Sequence, residues 1–280
     1  MSIIAFWSNE EKETGQTMSM VALTTYMAIE HNYKILSVST SFNDNTLEKS
    51  YFATRKTPGL MNGMPQAQNQ VGIENGVEGL IKIINSNRIA NENISNYTKI
   101  VFRERLDVLC APRTKSYEEY KRITTMYPSI LQAANKNYDF IFVDMSKYIP
   151  KEQAKQILEL ADVIVINITQ RLKTINSLLK LKEKDNFFKK NNILINIGRY
   201  DRFSKYNTTN ISRYMKEKKA INAVPYNTLF FEACAESKVA ELFLRIRKVD
   251  ADDRNAMFIV EISKFAQNLI YKVQELQMKM

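Results

Sequence analysis

The residues best placed to do chemistry follow the first apolar stretch, where the chain reads Phe6-Trp7-Ser8-Asn9-Glu10-Glu11-Lys12-Glu13-Thr14-Gly15-Gln16-Thr17-Met18. A loop that cradles a phosphate chain has the form G-x-x-x-x-G-K-[ST]. Its glycines bring backbone amides to the anion, its lysine supplies charge and its hydroxyl meets a magnesium ion. On that template Gly15 takes the second glycine and Thr17 the hydroxyl, while Glu10 stands at the first glycine and Gln16 at the lysine. Losing a hydrogen bond to a charged group costs about 1.5–3 kcal/mol, or roughly ten- to hundredfold in affinity. Glu10, Glu11 and Glu13 add carboxylates where a triphosphate would lie, each repelling by ~1–4 kcal/mol at ~4 Å. Lys12 offsets part of this. The free amides and dipole of a helix beginning at Gly15 still attract anions. Weak nucleotide binding is expected, and hydrolysis weaker still.

The elements that hold this turn are legible from the spacing of apolar residues. Short β-branched runs at Ile3–Trp7, Lys34–Ser39, Leu106–Cys110, Phe140–Asp144, Val163–Ile168, Ile193–Ile197 and Ile221–Val224 read as strands, several of them apolar on both faces. Helical patterns lie between and after them, at Gln16–Glu30, Val77–Asn85, Tyr117–Asn135, Lys151–Leu160, Thr174–Lys184, Asn210–Glu217 and about Asp253–Gln277. The last carries an apolar stripe at Phe258, Ile262, Phe265, Leu269, Val273 and Leu276, which fits a docked core helix better than one lying on a membrane. This alternation predicts an α/β fold, a doubly wound, mostly parallel twisted sheet with helices on both faces. A single domain over 1–280 is expected, since no linker divides the chain. A Gly/Pro-rich loop at about 57–76 stands apart, with five of the seven glycines falling between Gly59 and Gly79.

Composition narrows the function classes. Apolar residues make up 45% of 280, enough for a sizeable core. No run approaches the ~18 apolar residues of a membrane span, and the N-terminus lacks a basic stretch before its apolar one, so a cytoplasmic location is expected. Two cysteines, Cys110 and Cys234, make no disulfide framework, and the lone His31 excludes most zinc and histidine-based schemes. The stretch 171–219 holds 14 basic and 4 acidic residues, an excess equal to the net charge of +10. Such a concentration is the footprint of a nucleic-acid or anionic-membrane contact, or a plain solvated lysine surface.

From end to end the chain resembles the ParA/MinD family of P-loop ATPases. Tyr138 to Asp144 looks like the family's Walker B strand, with Asp144 as the carboxylate beside magnesium; Leu106 to Pro112 and Ala161 to Val165 are similar to its neighbouring strands. Ala223-Val224-Pro225-Tyr226-Asn227 resembles the segment whose proline borders the adenine. By this likeness the pocket would be lined by Lys12, Thr14, Gly15, Gln16, Thr17, Met18 and Pro225, with Thr17 and Asp144 as magnesium-site residues; Asp144 alone would be catalytic were the site active. The family's departures here are equally specific. Its lysines are replaced by Gln16 and by Glu11, its acids after the second strand by Ser39 and Ser41, and its adenine-reading asparagine aligns with Gly198, two residues from Asn196.

The likeness implies a homodimeric spatial organiser, and the loosened loop is similar to that of the TadZ/CpaE-like branch, which places pilus machinery. A scaffold with a degenerate ATP site is one expectation. A slow ATP/Mg switch using Lys12 is another, and a partition-type protein binding DNA non-specifically a third. For that last role Lys182, Lys184, Lys189, Lys190, Arg199, Arg202, Lys205 and Arg213 are candidates.

Overall fold

The computed structural model describes residues 1–10, 14–53, 76–86, 94–190 and 192–279. Lys12, Glu11 and Glu13 lie outside the described residues, as does the Gly/Pro-rich stretch at about 57–76 apart from Gly76. Eight strands form one sheet: β1 (Ser2–Trp7), β2 (Ile35–Ser39), β3 (Lys99–Phe102), β4 (Leu106–Leu109), β5 (Phe140–Asp144), β6 (Val163–Ile168), β7 (Ile193–Tyr200) and β8 (Asn222–Pro225). Their order is β3-β4-β2-β5-β1-β6-β7-β8. Every pairing is parallel except β3 on β4, which is antiparallel and forms one edge.

The period-2 pattern sorts the strand residues between two cores. Ile3, Ala5, Ile164, Ile166 and Ile168 face one cluster; Ile4, Phe6, Val163 and Val165 face the other. The first is covered by α3 (Val77–Asn85), α4 (Tyr117–Thr124), α5 (Tyr127–Ala134), α6 (Lys151–Leu160), α7 (Leu172–Lys184) and α8 (Thr208–Met215). The second is covered by α1 (Gln16–Glu30), α2 (Thr46–Tyr51), α9 (Thr228–Glu236), α10 (Val239–Ile246) and α11 (Ala256–Gln277). In α11 the expected stripe is buried at Phe258, Ile262, Phe265, Leu269 and Val273, so this helix is docked on the core. Cys110 and Cys234 are free and buried. Burial pushes both thiols up to about 12, which leaves them inert at neutral pH.

The structure corrects several expectations. The single helix read over Tyr117–Asn135 is two, α4 and α5, because Pro128 in the first turn of α5 denies the backbone N–H that a continuous helix needs. Strand β3 and helices α2, α9 and α10 were not anticipated. Strand β7 runs on to Tyr200, with a register shift against β8 between Gly198 and Tyr200.

Candidate functional site

The carboxyl ends of β1, β2 and β5 open into a cleft of about 360 Å³, the place where open parallel sheets bind ligands. Gly15 begins α1 with φ 69°, a left-handed conformation that a side chain resists. Thr14, just before it, rests directly on β7. A Cβ at Gly198 would stand 2.1 Å from the Thr14 carbonyl oxygen and 3.2 Å from the Gly15 Cα. No side chain fits at Gly198 while the loop lies here. Next to it, Arg199 holds a left-handed φ of 52° on the β7 bulge, and its Cγ lies 3.3 Å from where a Gly15 Cβ would be. The side chain of Arg199 lines the cleft.

At the floor of the cleft, Asp144 is 2% exposed. Gln16 donates from Nε2 to Asp144 Oδ1 at 2.7 Å and to the Met145 carbonyl at 2.9 Å. Thr17 donates from Oγ1 to Asp144 Oδ2 at 2.7 Å. Both carboxylate oxygens are thus engaged by α1. From the other side, Thr40 donates its N–H and its hydroxyl to the Asp144 carbonyl at 3.1 and 2.8 Å, and its hydroxyl accepts the Ser146 N–H at 2.9 Å. Tyr120 and Tyr127 fix the Thr40 and Ser39 carbonyls at 2.7 and 2.9 Å. The loops after β2 and β5 are therefore tied to each other and, through Asp144, to α1.

This carboxylate has a neutral amide where a lysine would have given it a cation. Burial raises the Asp144 pKa above the ordinary carboxylate value, hydrogen bonds from Gln16 and Thr17 pull it back, and the Asp44 charge raises it further. A native pKa above the unfolded one favours folding below the usual carboxylate range, and that advantage is lost as pH rises through the native value. Asp144→Asn keeps the shape, since Oδ1 still accepts from Gln16 and the Thr17 hydroxyl turns to accept from Nδ2. Thermal melts should show the variant ~2–4 °C more stable at pH 7, on the scale of about 1 kcal/mol, with the gap closing toward pH 4. A variant less stable at pH 7 than at pH 4, relative to the unmodified chain, contradicts this.

Of the anticipated residues, Thr14, Gly15, Gln16, Thr17, Met18 and Asp144 all line the cleft; Lys12 lies outside the described residues. Pro225 lies outside this cleft; it borders a slot of about 20 Å³ shared with Gly15, Met18 and Arg199, and also a cavity of about 780 Å³ beyond the ends of β7 and β8. Nor does Asn196 reach the cleft. It is fully buried and donates to Asn167 Oδ1 on β6 at 2.8 Å. Sequence reasoning missed Asp44, Phe42, Tyr148 and the cleft position of Arg199. An acid five residues beyond β2 was a usable signal for Asp44; the others are brought in by tertiary contact.

A magnesium nucleotide fits this arrangement poorly. The acid that would support the ion has both oxygens engaged by Gln16 and Thr17. Glu10 and Asp44 also line the cleft, against Lys147 and Arg199.

An eight-stranded, mostly parallel sheet with β1 near its centre and helices on both faces is the α/β fold of the ParA/MinD type. Comparison with solved structures identifies it directly. A ParA family ATPase from Chlorobium tepidum superposes with a TM-score of 0.66 at 16% identity, covering 95% of this chain and 98% of that one. The cell division ATPase MinD of Pyrococcus furiosus gives 0.65 at 14%, covering 96% and 99%. The septum site-determining protein MinD of Pyrococcus horikoshii, complexed with Mg-ADP, gives 0.64 at 14%, covering 97% and 98%. At such identities the likeness is one of fold. No family model and no curated protein matches the sequence.

Proposed function

We propose that this chain is a ParA/MinD-type positioning or scaffolding protein, acting as a homodimer, whose nucleotide site is degenerate and whose action does not depend on ATP turnover. The observation that carries the reading is the bonding of Gln16 and Thr17 to Asp144. The contacts a nucleotide and its ion would organise are made instead by side chains already in the chain. Loss of the loop lysine and the engaged acid act in the same direction. The loosened loop favours a role in placing pilus or secretion machinery, as in the TadZ/CpaE-like branch it resembles. The basic 171–219 stretch, carried on α7, the β7 end and α8, is the candidate surface for non-specific attachment to DNA.

Calorimetric titration of Mg-ATP into the full chain tests this. No saturable binding is expected below roughly 1 mM, the affinity equivalent of about −4 kcal/mol. A micromolar dissociation constant overturns the reading, and its loss in Lys12→Ala would place the phosphate charge on Lys12.

A further inference from the structure

We propose that the cavity beyond the ends of β7 and β8 binds single-stranded nucleic acid, with Phe203 as the ring on which a base stacks. The cavity measures about 780 Å³, shares Arg199 with the Asp144 cleft and Pro225 with the small slot, and is large enough to admit an unpaired base with its sugar. Phe203 on its wall is 82% exposed and Tyr226 is 58% exposed. Large rings left in water beside a cavity mark a contact surface.

Cations frame these rings. The Arg202 guanidinium lies 4.7 Å from the Phe203 ring centre, and Arg199 and Arg254 line the same cavity. None of the three forms an ion pair among the described residues. Of the acids present, Asp201 accepts the Phe203 N–H at 2.9 Å and Asp253 accepts the Asn255 N–H at 2.6 Å. Both are thereby turned to the main chain. Asp252 is the third acid on the wall, so the lining carries three arginines and three aspartates. The cavity also adjoins the 171–219 stretch with its excess of ten positive charges, so a strand entering it continues along a basic surface. Arginines with exposed rings are the pairing by which proteins hold single strands: phosphates meet the cations and bases stack on the rings. A duplex keeps its base faces covered and cannot use Phe203 this way.

Fluorescence anisotropy with a labelled oligothymidine and a duplex of equal length tests the proposal on the full chain. The single strand should bind at low salt, its affinity falling linearly with the logarithm of salt concentration. Phe203→Ala should weaken it about tenfold or more, and Phe203→Trp should restore it, while duplex affinity is unchanged by either. Because the ring is exposed, both variants should melt with the unmodified protein. Arg254→Gln provides a second variant, which should weaken single-strand binding and flatten its salt dependence. No single-strand binding at low salt overturns the proposal, as does an equal effect of Phe203→Ala on single strand and duplex.

Discussion

Gly198→Ala is expected to lower the melting temperature by roughly 5–10 °C and to release the loop before α1. The added Cβ would lie 2.1 Å from the Thr14 carbonyl oxygen and 3.1 Å from its carbon. These are backbone atoms, so no rotamer change relieves the contact. Overpacking of this kind costs typically 1–3 kcal/mol and more when the backbone must shift, and about 2–4 °C follows from each kcal/mol in a chain of this size. The shift would pull Gly15 off its left-handed conformation and draw Gln16 away from Asp144. Faster hydrogen exchange over the first turn of α1 should accompany the lower melting point. An alanine variant that melts with the unmodified protein contradicts the observed seating of the loop. The same geometry explains why an asparagine, which the family resemblance places at this position, is incompatible with the loop as it stands.

Gln16→Leu is expected to be nearly as costly, and Gln16→Lys to be tolerated. Leucine removes the donor to Asp144 Oδ1 and to the Met145 carbonyl together. It leaves a fully buried carboxylate short of a partner. Hydrogen bonds to charged groups contribute about 1.5–3 kcal/mol, and leaving a buried charge uncompensated costs about 3–5 kcal/mol. A fall of roughly 5–10 °C in melting temperature follows at pH 7. It should shrink in acid, where Asp144 takes up a proton. Lysine instead brings an ammonium to the same carboxylate, which suits its ionised form, and should melt at or above the unmodified protein. Equal melting of all three chains would show that the Gln16 contacts contribute nothing.

Much of the scaffold was legible before any coordinates, and the reasons are local. Helices Gln16–Glu30, Val77–Asn85 and Lys151–Leu160 and strands Phe140–Asp144 and Val163–Ile168 have the bounds read from periodicity. None is interrupted by proline, and both strands are mostly apolar runs buried along their whole length. Strand β3 escaped because Lys99–Phe102 is a four-residue, part-exposed antiparallel edge that lacks the buried run of its neighbours. Helix α9 escaped although Asn227 caps it, its side chain accepting the Phe230 N–H at 2.9 Å; that asparagine was a readable start signal. In the site, Gln16, Thr17 and Asp144, read from the turn after β1 and the end of β5, line one cleft. What they do there was not legible. Whether Gln16 points to solvent or closes on Asp144 depends on where the loop sits, and that is decided by Gly198, more than 180 residues away along the chain. The positive φ of Arg199 likewise belongs to the pairing, at the bulge where β7 shifts register against β8.

If protein atoms alone hold the loops after β2 and β5 against α1, amide exchange in these loops should be slow in the ligand-free chain. The decisive amides are those of Thr40, Met145 and Ser146, which donate to the Asp144 carbonyl, the Phe6 carbonyl and the Thr40 hydroxyl at 3.1, 3.0 and 2.9 Å. Hydrogen exchange followed by mass spectrometry reads their opening directly. Protection that is strong without nucleotide, unchanged by Mg-ATP at millimolar concentration and lost in Gln16→Leu is the result this account predicts. Fast exchange at these three amides that slows when Mg-ATP is added would contradict it.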